Sequence, residues 1–358
     1  MSVKDFVFET FIRLTSRTCP HGFEDQLIED VMSNLLPNNI EKDQFGNYFY
    51  KIGDSNTIFA SHLDTVSKEY KKVNHLLDDN LIKTDGKTTL GADDKAGMTI
   101  MLWMIKNEVP GLYYFFVGEE VGCIGSGLAS KYLNLGDNYD KIISFDRRGT
   151  GSVITHQSYS RSCSDGFAND LCSELNKNGL SYTKDDGGVY TDSAEFMDSI
   201  SECTNISVGY YKEHTNGEYQ DIDHLTKLAD ACLLVDWENL SVIRDFKIRE
   251  SKPYSYGGWG DWDDFYRDDP KPKKRRKRRK NKNNSKPRAF IDDGSGGLEE
   301  IFDELLQKQD DYIWIINKFD GDVITWSDLE VIKDCYLQMD DEGDVIFYEF
   351  LKSQLVDV

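Results

Sequence analysis

Residues 57–64 read Thr57-Ile58-Phe59-Ala60-Ser61-His62-Leu63-Asp64. A short apolar run ends in a histidine with a carboxylate two positions on, the pattern of a buried strand leaving its sheet. Residues two apart in an extended segment share a face, so Asp64 falls beside His62. A carboxylate there can accept the second ring N–H of a metal-bound imidazole and fix its tautomer. Four more segments carry chemistry-bearing residues in the same way. Leu90-Gly91-Ala92-Asp93-Asp94-Lys95-Ala96-Gly97 is a glycine-flanked turn opening a helix, a place for a rigid carboxylate that bridges two cations. Phe115-Phe116-Val117-Gly118-Glu119-Glu120 ends a very apolar run with adjacent acids. Strand neighbours point opposite ways, so one acid can hold metal while the other reaches a water. Asp146 closes a fourth run, and the stretch Glu213-His214-Thr215-Asn216-Gly217-Glu218 supplies a second histidine.

Around these segments, residues 1–245 read as one α/β domain. Apolar spacing predicts a first helix through Phe6, Phe11 and Leu14, and a second from Phe23 to Leu36, closed by Pro37. Short apolar runs at 47–52, 57–60, 112–117, 142–145, 153–155 and 206–209 predict strands. Helical stretches at 94–107, 126–133, 167–178 and 225–240 separate them. This alternation gives a mixed, largely parallel central sheet flanked by helices.

Composition changes sharply after about residue 250. Residues 246–297 read as a flexible linker, glycine- and aromatic-rich at first and strongly basic in its middle. Residues 298–358 resume helical spacing through Leu298, Ile301, Phe302 and Leu305 and read as an acidic, mainly helical module. That module holds 17 acids against 4 bases, which suits a protein partner. Gln338 to Glu349 is similar in spacing to a calcium-binding EF-hand loop, but Gln338 stands where the first acid ligand belongs.

Charge restricts the function classes. The net charge is −22, yet residues 271–288 hold 12 Lys/Arg and no acid, leaving −34 on the rest. An acidic body resists nucleic acid and anionic membranes; contact through 271–288 would be phosphate-driven and non-specific. No apolar run is long enough to span a bilayer, and the N-terminus lacks a signal-peptide pattern. Seven scattered cysteines (19, 123, 163, 172, 203, 232, 335) without close pairs predict reduced thiols and a cytoplasmic location.

Ligands of open α/β sheets gather beyond the carboxyl ends of the strands, where the five segments are expected to meet. Two histidines and several carboxylates suit a pair of Zn²⁺ ions, or Co²⁺ or Mn²⁺ in their place. The wording Ser61-His62-Leu63-Asp64-Thr65, Gly91-Ala92-Asp93-Asp94-Lys95-Ala96-Gly97, Glu119-Glu120-Val121-Gly122, Asp146 and His214 resembles the co-catalytic di-zinc exopeptidases, which include peptidase T, aminoacylase-like enzymes and bacterial aminopeptidases. The resemblance covers roughly residues 50–225. It implies that His62 and Asp146 hold one zinc and Glu120 and His214 the other, with Asp93 bridging through a cis peptide to Asp94. It also implies Glu119 as general base and acid, and Asp64 as the partner of His62. Only 31 residues separate His62 from Asp93, and 68 separate Asp146 from His214. Neither interval leaves room for an inserted lid domain, so the layout resembles the compact single-domain aminopeptidase branch, and the resemblance implies small peptides as substrates.

Substrate contacts are expected in Gly187-Gly188-Val189-Tyr190-Thr191-Asp192. Tyr190 can donate to an oxyanion, Thr191 and Asp192 can face the substrate, and Arg147 can read a carboxylate. His156 and His224 read as structural, and His21 and His75 have no ligand spacing. Two other readings share these residues: a di-metal amidohydrolase acting on N-acyl amino acids, and a catalytically idle scaffold whose tail binds a partner.

Overall fold

The computed structural model describes residues 1–250 except 38 and 249, together with three short strands at Phe290–Asp292, Leu298–Glu300 and Val323–Ile324. The chain divides into two units, Met1–Gly258 and Trp259–Val358.

The first unit begins with α1 (Val3–Leu14), whose N-terminus is capped by the Ser2 hydroxyl accepting the Asp5 N–H. The expected second helix is a short turn, α2 (Glu24–Leu27), running into a π-helical segment, Ile28–Met32. Strands β1 (Glu41–Lys42), β2 (Tyr48–Ile52) and β3 (Thr57–His62) follow, then the hairpin β4 (His75–Asp78) and β5 (Leu81–Thr84). Next come α3 (Ala92–Lys106), β6 (Gly111–Phe116), α4 (Ile124–Tyr132), β7 (Lys141–Arg147) and β8 (Ser152–Ile154). A small ribbon, β9 (His156–Gln157) with β10 (Ser160–Arg161), leads to α5 (Asp165–Asn176) and β11 (Thr183–Asp185). The unit closes with β12 (Glu202–Ser207), the hairpin β13 (Tyr210–Tyr211) and β14 (Tyr219–Asp221), and α6 (Ile222–Cys232).

Eight strands form one sheet in the order β1-β2-β6-β3-β7-β12-β8-β11. Its centre, β6-β3-β7-β12, is parallel, while β1, β2 and the β12–β8 contact are antiparallel. The predicted mixed, largely parallel sheet is therefore present. Alternation along β6 explains its two cores. Tyr113 and Phe115 pack with Phe59, Ile143 and Phe145 under α1, α3 and α6. Leu112, Tyr114 and Phe116 face the other way, with Ile58, Ala60 and Ile142, against Ala129 of α4 and Phe196. A sheet covered on both faces keeps its central strands fully buried, as β3 and β6 are.

A second, four-stranded antiparallel sheet, β13-β14-β5-β4, has no counterpart in the sequence expectations. It carries the His214 turn, so this histidine stands between two short hairpin strands and not at the end of a core strand.

In the second unit, β15 (Phe290–Asp292) pairs antiparallel with β16 (Leu298–Glu300) and parallel with β17 (Val323–Ile324). Leu298–Glu300 is thus strand where helical spacing predicted helix. The basic run 271–288, the EF-hand-like stretch and the remaining expected helix lie outside the described residues. Among the described residues no helix is long and apolar enough to cross a membrane. The six described cysteines are free and buried.

Candidate metal centre

Parallel pairing aligns the ends of β3, β6 and β7, and the site is built on those ends. His62 is the last residue of β3, opposite Phe116 of β6. The Leu63 N–H donates to the Phe116 carbonyl at 2.9 Å, holding the two departing chains together. Asp146 lies near the end of β7, its backbone clamped by Asn205 of β12: Asn205 Oδ1 accepts its N–H at 2.9 Å and Nδ2 donates to its carbonyl at 2.6 Å. Asp93 comes from the first turn of α3, where Asp93 (φ −79°, ψ 103°) and Asp94 (φ −118°, ψ 35°) depart from helical geometry and their peptide bond is cis. Gly91 precedes them at φ +73°, in the left-handed region that side chains disfavour.

The side chains converge in two groups. In one, His62 Nε2 lies 3.0 Å from Asp93 Oδ1 and 3.8 Å from Asp146 Oδ1, with Glu119 Oε2 at the border, 4.0 Å away. In the other, His214 Nε2 lies 3.1 Å from Asp93 Oδ2 and 3.1 Å from Glu120 Oε2. Asp93 serves both groups with different oxygens, and in each the potential ligand atoms fall within 4.8 Å of one another. His62 is fully buried and His214 half-exposed.

Neighbouring groups fix these side chains. The His62 Nδ1–H donates to the backbone carbonyl of Asp64 at 3.0 Å, leaving Nε2 to face the carboxylates. The nearest Asp64 carboxylate oxygen is farther from Nδ1, at 3.5 Å. This differs from the expectation that the carboxylate itself orients the ring. The Asp64 carboxylate instead accepts the backbone N–H groups of Glu119 and Glu120, each at 3.1 Å. Asp94, also buried, accepts Ser61 Oγ–H at 2.5 Å and the His62 N–H at 3.2 Å.

The carboxyls are crowded and depend on nearby positive charge. Burial disfavours the ionised carboxyls, and mutual repulsion adds to this. Glu119 is pushed well above its usual range by burial, and by Asp146, Asp192 and Glu120 against the pull of His62. Asp146 is raised by burial and by Asp93. The imidazoles supply compensation among protein groups alone. Burial opposes a charged His62, but Asp146, Asp64 and Asp93 outweigh it and hold its pKa well above normal. The Asp93 and Glu120 carboxylates, as acceptors for its ring N–H, push His214 up to about 11. Burial opposes an ionised Asp64, but His62, the Glu119 N–H and the buried Lys95 ammonium, which donates to the Leu63 carbonyl, hold its pKa below the usual range. Divalent cations held by these oxygen and imidazole donors would take over the compensation and leave both rings neutral. The donor set, without thiolates, fits Zn²⁺, Co²⁺ or Mn²⁺.

The remaining predicted residues lie around this centre in different ways. Thr191 donates to Asp146 Oδ2 at 2.5 Å and so belongs to it. Asp192 is buried against the Ser126 hydroxyl (2.6 Å), and burial pushes it up to about 8. Tyr190 is set against Glu195. Arg147 donates to the Gly187 carbonyl at 3.2 Å and lies 4.0 Å from Asp185. His21, read as lacking ligand spacing, forms a third potential group with Glu24 and Asp64, but Asp64 is already engaged by the Glu119 and Glu120 N–H groups. Glu24 takes His21 Nδ1 at 2.7 Å and the Gly22 N–H at 2.6 Å.

Three residues of the centre escaped the sequence reading. Tyr210 donates to Asp146 Oδ1 at 2.9 Å. Asn205 clamps Asp146, and its signal was a polar side chain within a buried strand. Glu218, 2% exposed, accepts the N–H groups of Leu90 (2.8 Å), Gly91 (2.7 Å) and Asp93 (3.0 Å).

No family model matches the chain. Over 75 residues, 19% of its length, it is 44% identical to the uncharacterized protein YqjE of Bacillus subtilis, and it spans about a fifth (20%) of that relative. Among solved structures, the aminopeptidase PepT of Bacillus cereus is similar over 66% of this chain and 98% of its own, with a TM-score of 0.56 at 16% identity. A tripeptidase of Staphylococcus aureus is similar over 65% and 98%, with a TM-score of 0.55 at 17% identity. A dodecameric PhTET1 structure is similar over 66% and 100%, with a TM-score of 0.51 at 16% identity. The chain therefore shares its fold with these structures over about two-thirds of its length. Its buried His/Asp clusters are consistent with a metal site in that fold.

Proposed function

We propose that this protein is a di-metal aminopeptidase that removes N-terminal residues from small peptides. The observation that carries the reading is the division of the Asp93 carboxylate, Oδ1 toward His62 and Oδ2 toward His214. One carboxylate between two imidazole-containing groups is the arrangement two neighbouring cations require. His62, Asp93 and Asp146 would hold one ion, and Asp93, Glu120 and His214 the other. Bound zinc supplies Lewis acidity, polarising a carbonyl and lowering the pKa of water.

The protein groups do the rest. Glu119, whose Oε2 lies 4.0 Å from His62 Nε2, borders the centre without belonging to either ligand group. It takes a proton from the attacking water and returns it to the departing amine. Asp64 holds the Glu119 backbone in place for this. Thr191 and Tyr210 keep both Asp146 oxygens oriented toward their ligand role. The peptidase names of the structural neighbours support peptides as the substrate class.

The test is digestion of a defined mixture of di-, tri- and longer peptides by the zinc-loaded protein, followed by mass spectrometry, with Glu119→Gln alongside. Stepwise N-terminal loss is expected, slowed roughly 10²–10⁴-fold in the variant while zinc content stays unchanged. Peptides left whole while N-acyl amino acids are cleaved would make the protein an amidohydrolase instead.

A further inference from the structure

The two ligand groups are not built equally. His62 and Asp146 belong to β3 and β7, neighbouring strands locked by the central ladder. His214 belongs to the β13–β14 hairpin of the second sheet, at φ +62° and half-exposed. Asp93 sits in the first turn of α3, whose non-helical start forms an entry loop with the preceding Leu90 and Gly91. Something must fix the hairpin relative to that loop if His214 and Asp93 are to meet one ion.

Glu218 is placed to do so. It lies four residues beyond His214 on the same hairpin, next to the first residue of β14. Its carboxylate reaches across to the loop, where Oε2 accepts from Leu90 and Gly91 and Oε1 accepts from Asp93 itself. Three backbone N–H groups thus converge on one side chain of the hairpin. Elsewhere the hairpin turn is held more loosely, as by Arg148 to Glu213 at 3.5 Å and Thr84 Oγ to the Asn216 carbonyl at 3.4 Å.

We propose that Glu218 is a positioning residue: by tying the Asp93 loop to the His214 hairpin, it sets the metal affinity of the Asp93–Glu120–His214 group more than that of the His62–Asp93–Asp146 group. This rests on the two-metal reading above. An amide at position 218 offers one oxygen and an NH₂ where two oxygens accept three N–H groups, so at least one donor loses its acceptor. Neither core-strand ligand depends on those bonds.

The experiment titrates Zn²⁺ into metal-free protein in competition with a chromophoric chelator, and records the melting of the metal-free form. Wild type is expected to take two equivalents. In Glu218→Gln one equivalent weakens roughly 10–100-fold, the range typical for loss of a ligand-orienting group, while the other shifts less than about threefold. Glu202→Gln is the control. Glu202 is another buried carboxylate, accepting from Ser164 N (2.6 Å), Ser164 Oγ (2.9 Å), Ile243 N (2.7 Å) and Arg244 N (3.0 Å), remote from the metal-capable groups. It is expected to lower the melting temperature and leave both zinc affinities unchanged. If Glu218→Gln fails to fold, Glu218→Asp, which keeps the charge on a shorter arm, is expected to show the same selective loss. Two equivalents bound at wild-type affinity by the folded variant, or equal weakening of both, or the same weakening in Glu202→Gln, overturns the role of Glu218. Wild type that binds fewer than two equivalents overturns the two-metal reading, and this inference with it.

Discussion

The carboxylate of Asp64 accepts the backbone N–H of Glu119 at 3.1 Å, although the residues lie 55 apart in sequence. The same carboxylate takes the Glu120 N–H, and the Asp64 carbonyl takes His62 Nδ1–H. One aspartate thus sets a histidine on β3 and two acids beyond β6. It does so through backbone groups, so its effect on Glu119 is one of placement.

Asp64→Asn tests that placement. The amide retains one acceptor oxygen and points an NH₂ at the other N–H, leaving a buried donor unpaired at a cost of about 1–3 kcal/mol. Stability in urea should fall by that amount. Turnover should fall further than substrate binding, because Glu119 is displaced and not removed. An unchanged kcat at unchanged metal content would show that Asp64 does not position Glu119.

Asp93 is the one side chain common to both ligand groups. Asp93→Ala should therefore weaken both ions, and with them the stabilisation by zinc. For wild type that stabilisation is about 2.7 kcal/mol per site at one hundred times the dissociation constant. Thermal melts with and without zinc should differ in wild type and coincide in the variant. A variant that still shifts by the wild-type amount would place the ions elsewhere.

The residues that were legible and those that were not differ for physical reasons. Gly111–Phe116 and Thr57–His62 announce themselves because both faces are buried and their middles, Leu112–Phe116 and Ile58–Ala60, are unbroken apolar runs. β12 does not: the predicted run began at Ile206, whereas the strand begins at Glu202. Its first residues are polar but paired, with Thr204 Oγ–H donating to the Ile154 carbonyl at 2.7 Å and Asn205 clamping Asp146. The β4–β5 hairpin was missed because Leu76 and Leu77 are both exposed, so β4 shows no alternation. Much of the candidate centre could be read from local wording. Glu218 and Tyr210 could not, since what they do depends on which loop the second sheet brings opposite them.

Gly97 offers a test of how closely α3 must approach the sheet. A Cβ there would lie 2.4 Å from the Phe145 carbonyl and 2.6 Å from Asp94 Oδ1. Gly97→Ala must push α3 away from β7, carrying Asp93 and Asp94 relative to Asp146. Overpacking of this kind costs about 1–3 kcal/mol, more than alanine's helix propensity returns. The midpoint of urea unfolding should fall and zinc affinity with it. A variant as stable as wild type would mean that the helix and strand give way without strain.

His224 provides a pH dependence remote from the metal-capable groups. Tyr182 O–H donates to the Ser207 carbonyl, so its oxygen accepts from His224 Nε2–H, 3.0 Å away. Burial is the main reason the ring resists protonation; the Asp221 charge only partly opposes it, and the folded pKa is lowered from 6.5 to about 4. Above pH 6.5 the ring is neutral in both the folded and unfolded chain, and its contribution to stability is fully present. Between 6.5 and about 4 the unfolded chain takes up a proton that the folded chain refuses, and stability is lost as pH falls, by roughly 3 kcal/mol in all. His224→Gln removes the titration. The difference in unfolding free energy between wild type and variant should therefore change by about 1.4 kcal/mol per pH unit across that window, and level off above pH 7. Parallel curves from pH 7.5 to 4.5 would show that the ring is not held neutral by the fold.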